Sequence, residues 1–478
     1  MSKKPVYQGY YEDEATKNLE MGIYAYGPPH GPRFKVEGIR IYSDNPEHDY
    51  RTVERYKEYK ECGFNMILTQ VSGQYFGECA WEESVAKRCM DRYYEAGITK
   101  AILLDERIRK LSCEFDGVIG EGKRFASQDE LDAWVAECMK DYKHHPAFYG
   151  IQFCDEPCWR CFKTFGQIWK AVKKACPEAF IQCNLWGLYF SFRIEYFPPY
   201  GKSNTFEGRM KEYLNMFLDE TGADYIMLDR YGFFTSEDSG LYPYYFLNNQ
   251  VINEVMKERG IKKMALCVQS FAQRQNGFQT HRLPTEAEMN FQIHALLGAG
   301  VKEFAYYTYW SGGDYSGRGE YRDNDWAIVS TDGKQTYLYP VVQRLNGMIK
   351  KLSPVLMNFD HVADTYAVQM PCVSKPMHLQ HTRCGKLTHA KLKTSQEVAM
   401  LFELKDEKRE NWLYVLENVT CPKFGAGLPA QTSTVTFTNS AWTKVDVFDG
   451  NEWHTEDLVG GTFTATLNNG DAVYLMPY

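Results

Sequence analysis

The run Gly150-Ile-Gln-Phe-Cys-Asp-Glu-Pro157 decides how the rest of the chain is read. It follows a proline-marked loop at His145-Pro146 and alternates Ile151 and Phe153 with Gln152 and Cys154, the two-residue period of a strand. Pro157 has no N–H to give to a sheet ladder, so the strand is expected to stop there. Asp155 and Glu156 then stand at the C-terminal mouth of a strand, where α/β barrels keep their chemistry. Continued alternation puts Glu156 on the side of Gln152 and Cys154, away from the apolar residues that face surrounding helices. The plain alternative is a pair of acids in a solvated turn.

Working outward, a strand–helix rhythm surrounds this run. Candidate strands at 21–26, 64–70, 100–105, 150–157, 179–186, 224–231, 263–269 and 302–310 alternate with candidate helices at 50–62, 83–96, 127–144, 165–175, 206–220, 244–259, 285–297 and 339–351. Gly63, Gly97, Gly222 and Gly260 follow helices at the position where a left-handed cap favours glycine. Ser127 with Glu130, and Thr285 with Glu288, form capping boxes. Eight such units imply an α/β fold, a (β/α)8 TIM barrel over residues 1–354. The rival is a doubly wound open sheet, which usually carries a glycine-rich phosphate loop after its first strand, and none follows strand one here.

Beyond Pro354 the period changes. Short alternating segments at 366–370, 398–403, 412–417, 433–438, 444–448, 463–467 and 472–476, with hairpin signals at Asp449-Gly450 and Asn469-Gly470, predict a C-terminal antiparallel β-sandwich over residues 355–478.

Composition narrows the function classes. A formal net charge of -8 over 478 residues gives no support to nucleic acid or an anionic membrane as partner. No run approaches the roughly 18 apolar residues of a membrane span. The N-terminal residues carry no apolar signal core, and the 14 scattered cysteines read as reduced thiols, so a cytoplasmic location is expected. A homo-oligomer is compatible with the sequence. Aromatic residues make up 15% of the chain, including 34 Tyr and 10 Trp. Aromatic faces pack against the C–H faces of sugars, although tyrosine-rich cores give the same composition.

The predicted strand ends collect Tyr24 or Tyr26, Gln70, Asp105 and Glu106, Asp155 and Glu156, Asn184 and Trp186, Asp229 and Tyr231, Gln269, and the group Tyr306, Tyr307, Tyr309 and Trp310. Carboxylates, amides and aromatic platforms together suit a polyhydroxylated substrate. Gln70, Asn184, Trp186, Tyr231, Gln269, Tyr307 and Trp310 are the candidate binding residues. Cleaving a glycosidic bond needs an acid for the leaving oxygen and a second group on the anomeric side. Glu156 is the candidate acid, with a proton affinity raised by Asp155 and by enclosure. Its partner is open between Asp155 and Asp229. Asp229 also reads as a helix cap or an ion pair with Arg230 or Arg282. Asp105 and Glu106, in Asp-Glu-Arg-Ile-Arg-Lys, read as locally paired with arginine. No metal or cofactor is required for this chemistry.

At this point the chain resembles the (β/α)8-barrel glycoside hydrolases. Asp155-Glu156-Pro157 is similar to the Asn-Glu-Pro or Asp-Glu-Pro that carries the strand-four acid/base of clan A enzymes such as the family 42 β-galactosidases. The stretches 326–346, 268–286 and 298–309 also resemble that group. Clan A enzymes place a nucleophilic Glu at the end of strand seven, and this chain has Gln269 there. The Asp-Glu pair further resembles families 20 and 123, which implies that Asp155 orients a substrate acetamido group, Glu156 is the acid/base and no enzyme nucleophile is used. Tyr231 and Trp310 fit such an acetamido pocket.

Two other readings stand beside this one. A carbohydrate-binding barrel that has lost catalysis is motivated by Gln269. Cys154, Cys158 and Cys161 have the C-x3-C-x2-C spacing of the iron–sulfur loop of radical S-adenosylmethionine enzymes, or could hold a structural zinc; incidental buried thiols are the plain account.

Overall fold

Six of the described helices start where a short polar side chain takes up an otherwise unpaired backbone N–H. Thr52 accepts from Arg55, Ser84 from Lys87, Asp105 from Arg107, Ser127 from Glu130, Thr205 from Gly208 and Thr285 from Glu288. The computed structural model describes residues 4–29, 33–36, 39–42, 49–69, 80–187, 197–198, 205–233, 241–275, 278–311, 327–330, 332–368, 387–395, 398–419 and 429–478.

A short helix α1 (Gln8–Glu12) comes first, then β1 (Gly22–Ala25), a hairpin of β2 (Arg33–Val36) and β3 (Ile39–Tyr42), α2 (Val53–Glu61), β4 (Ile67–Thr69), α3 (Val85–Glu95) and β5 (Ala101–Leu104). Next come α4 (Glu106–Ser112), α5 (Gln128–Met139), β6 (Phe148–Asp155), α6 (Phe162–Ala175), β7 (Phe180–Asn184), α7 (Phe206–Thr221), β8 (Tyr225–Asp229) and α8 (Leu241–Arg259). β9 (Lys263–Gln269), the hairpin β10 (Gln273–Gln275) and β11 (Phe278–His281), α9 (Glu286–Gly298), β12 (Glu303–Tyr307) and α10 (Leu338–Leu356) complete this part.

Among the described residues, eight of these strands pair in parallel, in two four-stranded sheets of order β1-β12-β9-β8 and β4-β5-β6-β7. The sheets touch along both edges. Leu185, just past β7, bridges to Leu228 of β8, and its N–H reaches the Met227 carbonyl at 2.9 Å. On the other side Asn65 and Met66, leading into β4, donate to the Ile23 carbonyl of β1 at 3.0 and 3.2 Å. The space inside is filled by polar as well as apolar side chains: Gln182 Nε2 donates to Tyr26 Oη at 2.8 Å and lies 3.1 Å from Met227 Sδ.

Strand β6 departs from the simple alternation expected for it. Its register against β7 slips between Gln152 and Cys154, a bulge that pairs Cys154 with Cys183 and Asp155 with Asn184. Period-two reasoning therefore does not carry through to Glu156. Gly150 permits the close approach of the two strands, because a Cβ there would collide with the Phe180 carbonyl.

The C-terminal part is antiparallel. β13 (Asp360–Val368), β14 (Ala390–Thr394), β15 (Val398–Asp406), β16 (Asn411–Asn418), β17 (Gln431–Phe437), β18 (Lys444–Phe448), β19 (Trp453–Asp457), β20 (Thr462–Leu467) and β21 (Ala472–Pro477) form a six-stranded sheet, β13-β15-β16-β21-β18-β19, and a three-stranded sheet, β14-β17-β20. Alternate residues of the large sheet serve two cores. Leu401, Tyr414, Leu416, Val445, Val447 and Leu475 pack with Val435, Phe437 and Phe463 of the small sheet. Met400, Phe402, Leu404, Leu413, Val415 and Tyr474 join the core of the α/β part. The N-terminus docks on the same sheet: the Val6 and Tyr7 N–H groups donate to Asp446 Oδ2 at 2.6 and 3.2 Å, and Tyr10 Oη donates to Asp406 at 2.8 Å.

Strand β14 and strand β19 were not expected from the sequence, since Ala390-Lys-Leu-Lys-Thr394 and Trp453-His-Thr-Glu-Asp457 are mostly polar and exposed. Residues 369–370 of the first predicted C-terminal segment lie outside the described residues. Helix α10 continues through Pro354 instead of ending before it. A proline's φ is helical, and burial of Leu352, Val355 and Leu356 holds the last turn despite the lost N–H.

Candidate active site

Three carboxyl groups meet at the C-terminal ends of β6 and β8. Asp155 closes β6, opposite Asn184 of β7, and accepts a hydrogen bond from Asn184 Nδ2 at 2.9 Å. Its side chain opens to solvent, yet enough protein surrounds the carboxyl that lost hydration raises its pKa above the usual range, with Asn184 pulling the other way. Glu156 follows in the left-handed region at φ 50°, with its N–H on the Asn184 carbonyl at 2.8 Å. A non-glycine residue held there costs on the order of 1–2 kcal/mol, a strain that collects at functional sites.

Asp229 closes β8 and is 3% exposed. Burial first, and the Asp155 carboxylate second, push its pKa up to about 7, against hydrogen bonds from Glu156, Asn184 and Tyr231. Its Oδ1 has no hydrogen-bond partner among the described residues. No ion pair joins it to Arg230 or Arg282 among the described residues: Arg282 pairs with Glu288 at 2.6 Å, and Arg230 donates to the Tyr231 carbonyl at 2.8 Å. A carboxyl enclosed in this way, beside the Asp155 charge, favours its protonated form. Gly187, after β7, brings that strand end against the Asp229 carbonyl, where any Cβ would collide.

Gln269 proves to be a structural amide, which corrects its reading as a binding residue. It is fully buried, and Oε1 accepts from the N–H groups of Gly232 and Phe233 at 3.0 and 2.8 Å. Nε2 donates to the carbonyls of Phe233, Phe271 and Arg282 at 3.1–3.3 Å. No polar atom is left for a ligand hydroxyl. Asn184 is likewise occupied, its amide on Asp155 and its Oδ1 accepting from Cys267 Sγ at 3.9 Å, so it positions a carboxyl instead of gripping sugar.

Trp310 is also corrected as a platform. Its ring is 2% exposed, 4.8 Å from Tyr50 and capped by Arg55 at 5.9 Å. Trp186 is buried beside α7. Tyr306 and Tyr309 belong to the core, Tyr306 with its hydroxyl on Asn346 at 2.8 Å. Tyr231 and Tyr307 remain half-buried, 5.7 Å apart, and with Tyr26, Phe271 and His281 they form an aromatic wall beside Asp229. Burial, and then Arg230, hold the His281 imidazole down at about 4. Gln70 lies outside the described residues. Asp105 and Glu106 are paired with arginine as expected: Asp105 with Arg107 at 2.7 Å and Glu106 with Arg109 at 2.8 Å.

One positioning residue escaped the sequence altogether. The Tyr213 hydroxyl, fully buried on α7, donates to the Pro157 carbonyl at 2.7 Å and accepts from the Trp186 N–H at 3.4 Å. It ties the turns after β6 and β7 together, and nothing in a helical tyrosine announces that. The cysteine motif does not assemble a metal site: among the described residues no group of three or more His, Cys, Asp or Glu is arranged to hold an ion. Cys154 Sγ instead lies 3.6 Å from the Asp155 carbonyl.

No family model matches the sequence, and no curated protein matches it. Solved structures do match the fold. An α-amylase of Anoxybacillus aligns at 13% identity over 96% of this chain and 98% of its own, with a TM-score of 0.51. A family 27 β-L-arabinopyranosidase of Geobacillus stearothermophilus aligns at 10% identity over 98% and 97%, TM-score 0.51. A family 5 glycoside hydrolase of Bacteroides vulgatus aligns at 8% identity over 96% and 88%, TM-score 0.53. At such identities the likeness is one of fold: mixed α/β with parallel sheets, followed by an antiparallel domain.

Proposed function

We propose that this protein is a glycoside hydrolase of β-linked sugars, its two parallel sheets closed into a (β/α)8 barrel and residues 355–478 forming a β-sandwich. The observation that carries the reading is the meeting of Asp155, Glu156 and Asp229 around Asn184, with the buried Asp229 carboxyl pushed up to about 7. The fold likeness to glycoside hydrolases adds support by analogy.

In this reading Glu156 gives its proton to the glycosidic oxygen as the bond breaks and then recovers one from the attacking nucleophile. Asp229, buried next to it with a pKa pushed up to about 7, is the neighbouring carboxyl. Carboxyls in contact are too close to flank an anomeric carbon, which requires about 5 Å or more between them. Asp155 is therefore the anomeric-side partner. Held by Asn184 and open to the site, it orients either the substrate's own neighbouring group, as in the families with the same Asp-Glu pair, or a water. Tyr231 and Tyr307 supply the apolar wall for the sugar.

Aryl β-glycosides, with aryl N-acetylhexosaminides among them, test this with wild type and Glu156→Gln side by side. Turnover by the wild type and a loss of about 10²–10⁴-fold in the variant are expected. Turnover confined to N-acetylated sugars identifies the neighbouring-group route. A wild type that binds sugars yet releases no aglycone defeats the enzyme reading in favour of a binding barrel.

A further inference from the structure

Helix α9 is buried from Glu288 to Gly298, and two of its faces carry polar side chains. Glu288 and Gln292 lie about one turn apart on the first face. Asn290 and His294 lie about one turn apart on the second, about 200° around the axis from it. The first face meets the ends of β9 and β11. Gln292 Oε1 accepts the Gln269 N–H at 2.8 Å, and its Nε2 donates to the Gln269 carbonyl at 3.1 Å, so one side chain holds both main-chain groups of that residue. Glu288 Oε2 accepts from Arg282 at 2.6 Å. The second face meets the C-terminal sheet. Asn290 Nδ2 donates to Asp471 Oδ1 at 2.9 Å, and His294 Nδ1 lies 2.8 Å from Tyr474 Oη. Gly470 lets that sheet approach, because a Cβ there would strike the Ala287 carbonyl.

We propose that Gln292 is a positioning residue for the aromatic wall of the site, and that the C-terminal domain, gripping the far face of α9, shapes sugar binding through it. The proposal rests on the reading of that wall as the sugar-facing surface. Gln292 holds Gln269, and Gln269 holds the wall. Its Oε1 takes the N–H groups of Gly232 and Phe233, the two residues after Tyr231. Its Nε2 reaches the carbonyl of Phe271 and that of Arg282, next to His281. The Ser270 N–H, one residue on, donates to the Tyr307 carbonyl at 2.9 Å. Tyr231, Phe271, His281 and Tyr307 therefore have their main chain tied, directly or through a neighbouring residue, to the stretch of chain that Gln292 fixes.

The clamp is demanding because Gln269 and Gln292 are 0% and 1% exposed, and bulk water does not reach them. A buried amide that loses its partner carries the full desolvation cost of the group left bare, so the clamp has one favoured geometry. An apolar side chain at position 292 fills the space but leaves the Gln269 N–H and carbonyl facing hydrocarbon, and the end of β9 must shift to find other partners. Gln292 stands between Asn290 and His294 in sequence, within one turn of both. The helix therefore cannot move against the C-terminal sheet without moving Gln292. Burial first, and Arg344 second, push the His294 pKa down to about 3, so the imidazole is neutral at ordinary assay pH and its link to Tyr474 does not vary there.

The test compares Gln292→Met, Tyr474→Phe and a control, Val435→Ala, which thins the separate core between the two C-terminal sheets. Hydrogen–deuterium exchange of the full chain is read over 229–233 and 268–272 without sugar, and KM and kcat are read on an aryl glycoside. For Gln292→Met we expect exchange about tenfold faster in both segments, and KM raised about tenfold with kcat within about twofold, the mark of lost uniform binding. Tyr474→Phe should give the same pattern at about threefold, although it lies in the other domain. Val435→Ala should lower the denaturation midpoint and leave both segments and KM as in wild type. If Gln292→Met does not fold, Gln292→Glu, which keeps the acceptor for the Gln269 N–H, is read in its place. Wild-type exchange over 229–233 in the Gln292 variant, or a fall in kcat at constant KM, overturns the positioning role. A Tyr474→Phe effect confined to the C-terminal domain, or an equal KM rise in Val435→Ala, overturns the part given to that domain. Exchange is read without substrate, so a wild type devoid of turnover would count against the glycosidase reading alone.

Discussion

Asn184 holds Asp155 through its side chain, Nδ2 to Oδ1 at 2.9 Å, and its main-chain carbonyl accepts the N–H of the next residue, Glu156, at 2.8 Å. One residue of β7 thus fixes both acids that end β6. Replacing it by alanine removes the donor that pulls the Asp155 pKa down and leaves burial to raise it further. A hydrogen bond to a charged group contributes about 1.5–3 kcal/mol, so Asn184→Ala should cost about 10–100-fold in kcat/KM. The acidic limb of the pH–rate profile should also move upward. An unchanged limb would show that Asp155 does not titrate in the reaction.

Asp229 makes stability depend on pH in a definite direction. Its pKa is raised from 3.8 to about 7, so the folded state binds the proton more tightly than the unfolded chain does. The resulting stabilisation is complete below about pH 4 and is lost as pH rises through 7. Asp229→Asn should flatten this dependence. Urea unfolding at pH 5 and pH 8 should show wild type losing up to a few kcal/mol relative to the variant, at about 1.4 kcal/mol for each pKa unit. In turnover, the alkaline limb near pH 7 should disappear in Asp229→Asn, with a reduced plateau.

Gln269→Glu is the substitution that a clan A comparison invites, and it should fail. The side-chain nitrogen now donates to three main-chain carbonyls in a fully buried site. A carboxylate oxygen in its place faces only acceptors. We expect a loss of about 2–4 kcal/mol in stability and no gain in turnover, read by denaturation midpoint and by aryl glycoside assay.

Tyr213→Phe isolates a positioning effect. The fold should lose about 1–2 kcal/mol with the hydroxyl that joins Pro157 to Trp186. Turnover should fall several-fold through kcat with little change in KM, because the turn behind Glu156 loosens while the sugar-facing aromatics stay. An equal rise in KM would assign Tyr213 to binding.

The alternation of strand and helix was legible from glycine caps and capping boxes, whereas helix α4 and the hairpins β2–β3 and β10–β11, which fall between the predicted elements, were not. Polar edge strands β14 and β19 were not, because a strand that buries little carries no apolar period. Asp155, Glu156 and Asp229 were identifiable as strand-end carboxyls. Which strand-end amides and aromatics face a ligand was not: Gln269 ends a strand in the same way as Tyr307, but neighbouring main chain encloses it, and Trp310, past the end of β12, is enclosed by rings.

Sequence by itself therefore determined the order of the elements and where the acids lie along the chain, since periodicity, caps and breakers are local properties of the backbone. The tertiary structure alone decided the bulge in β6, the left-handed turn at Glu156 and the enclosure of Asp229 that raises its pKa. Each depends on groups far apart in sequence being enclosed together, where lost hydration sets both pKa and partner.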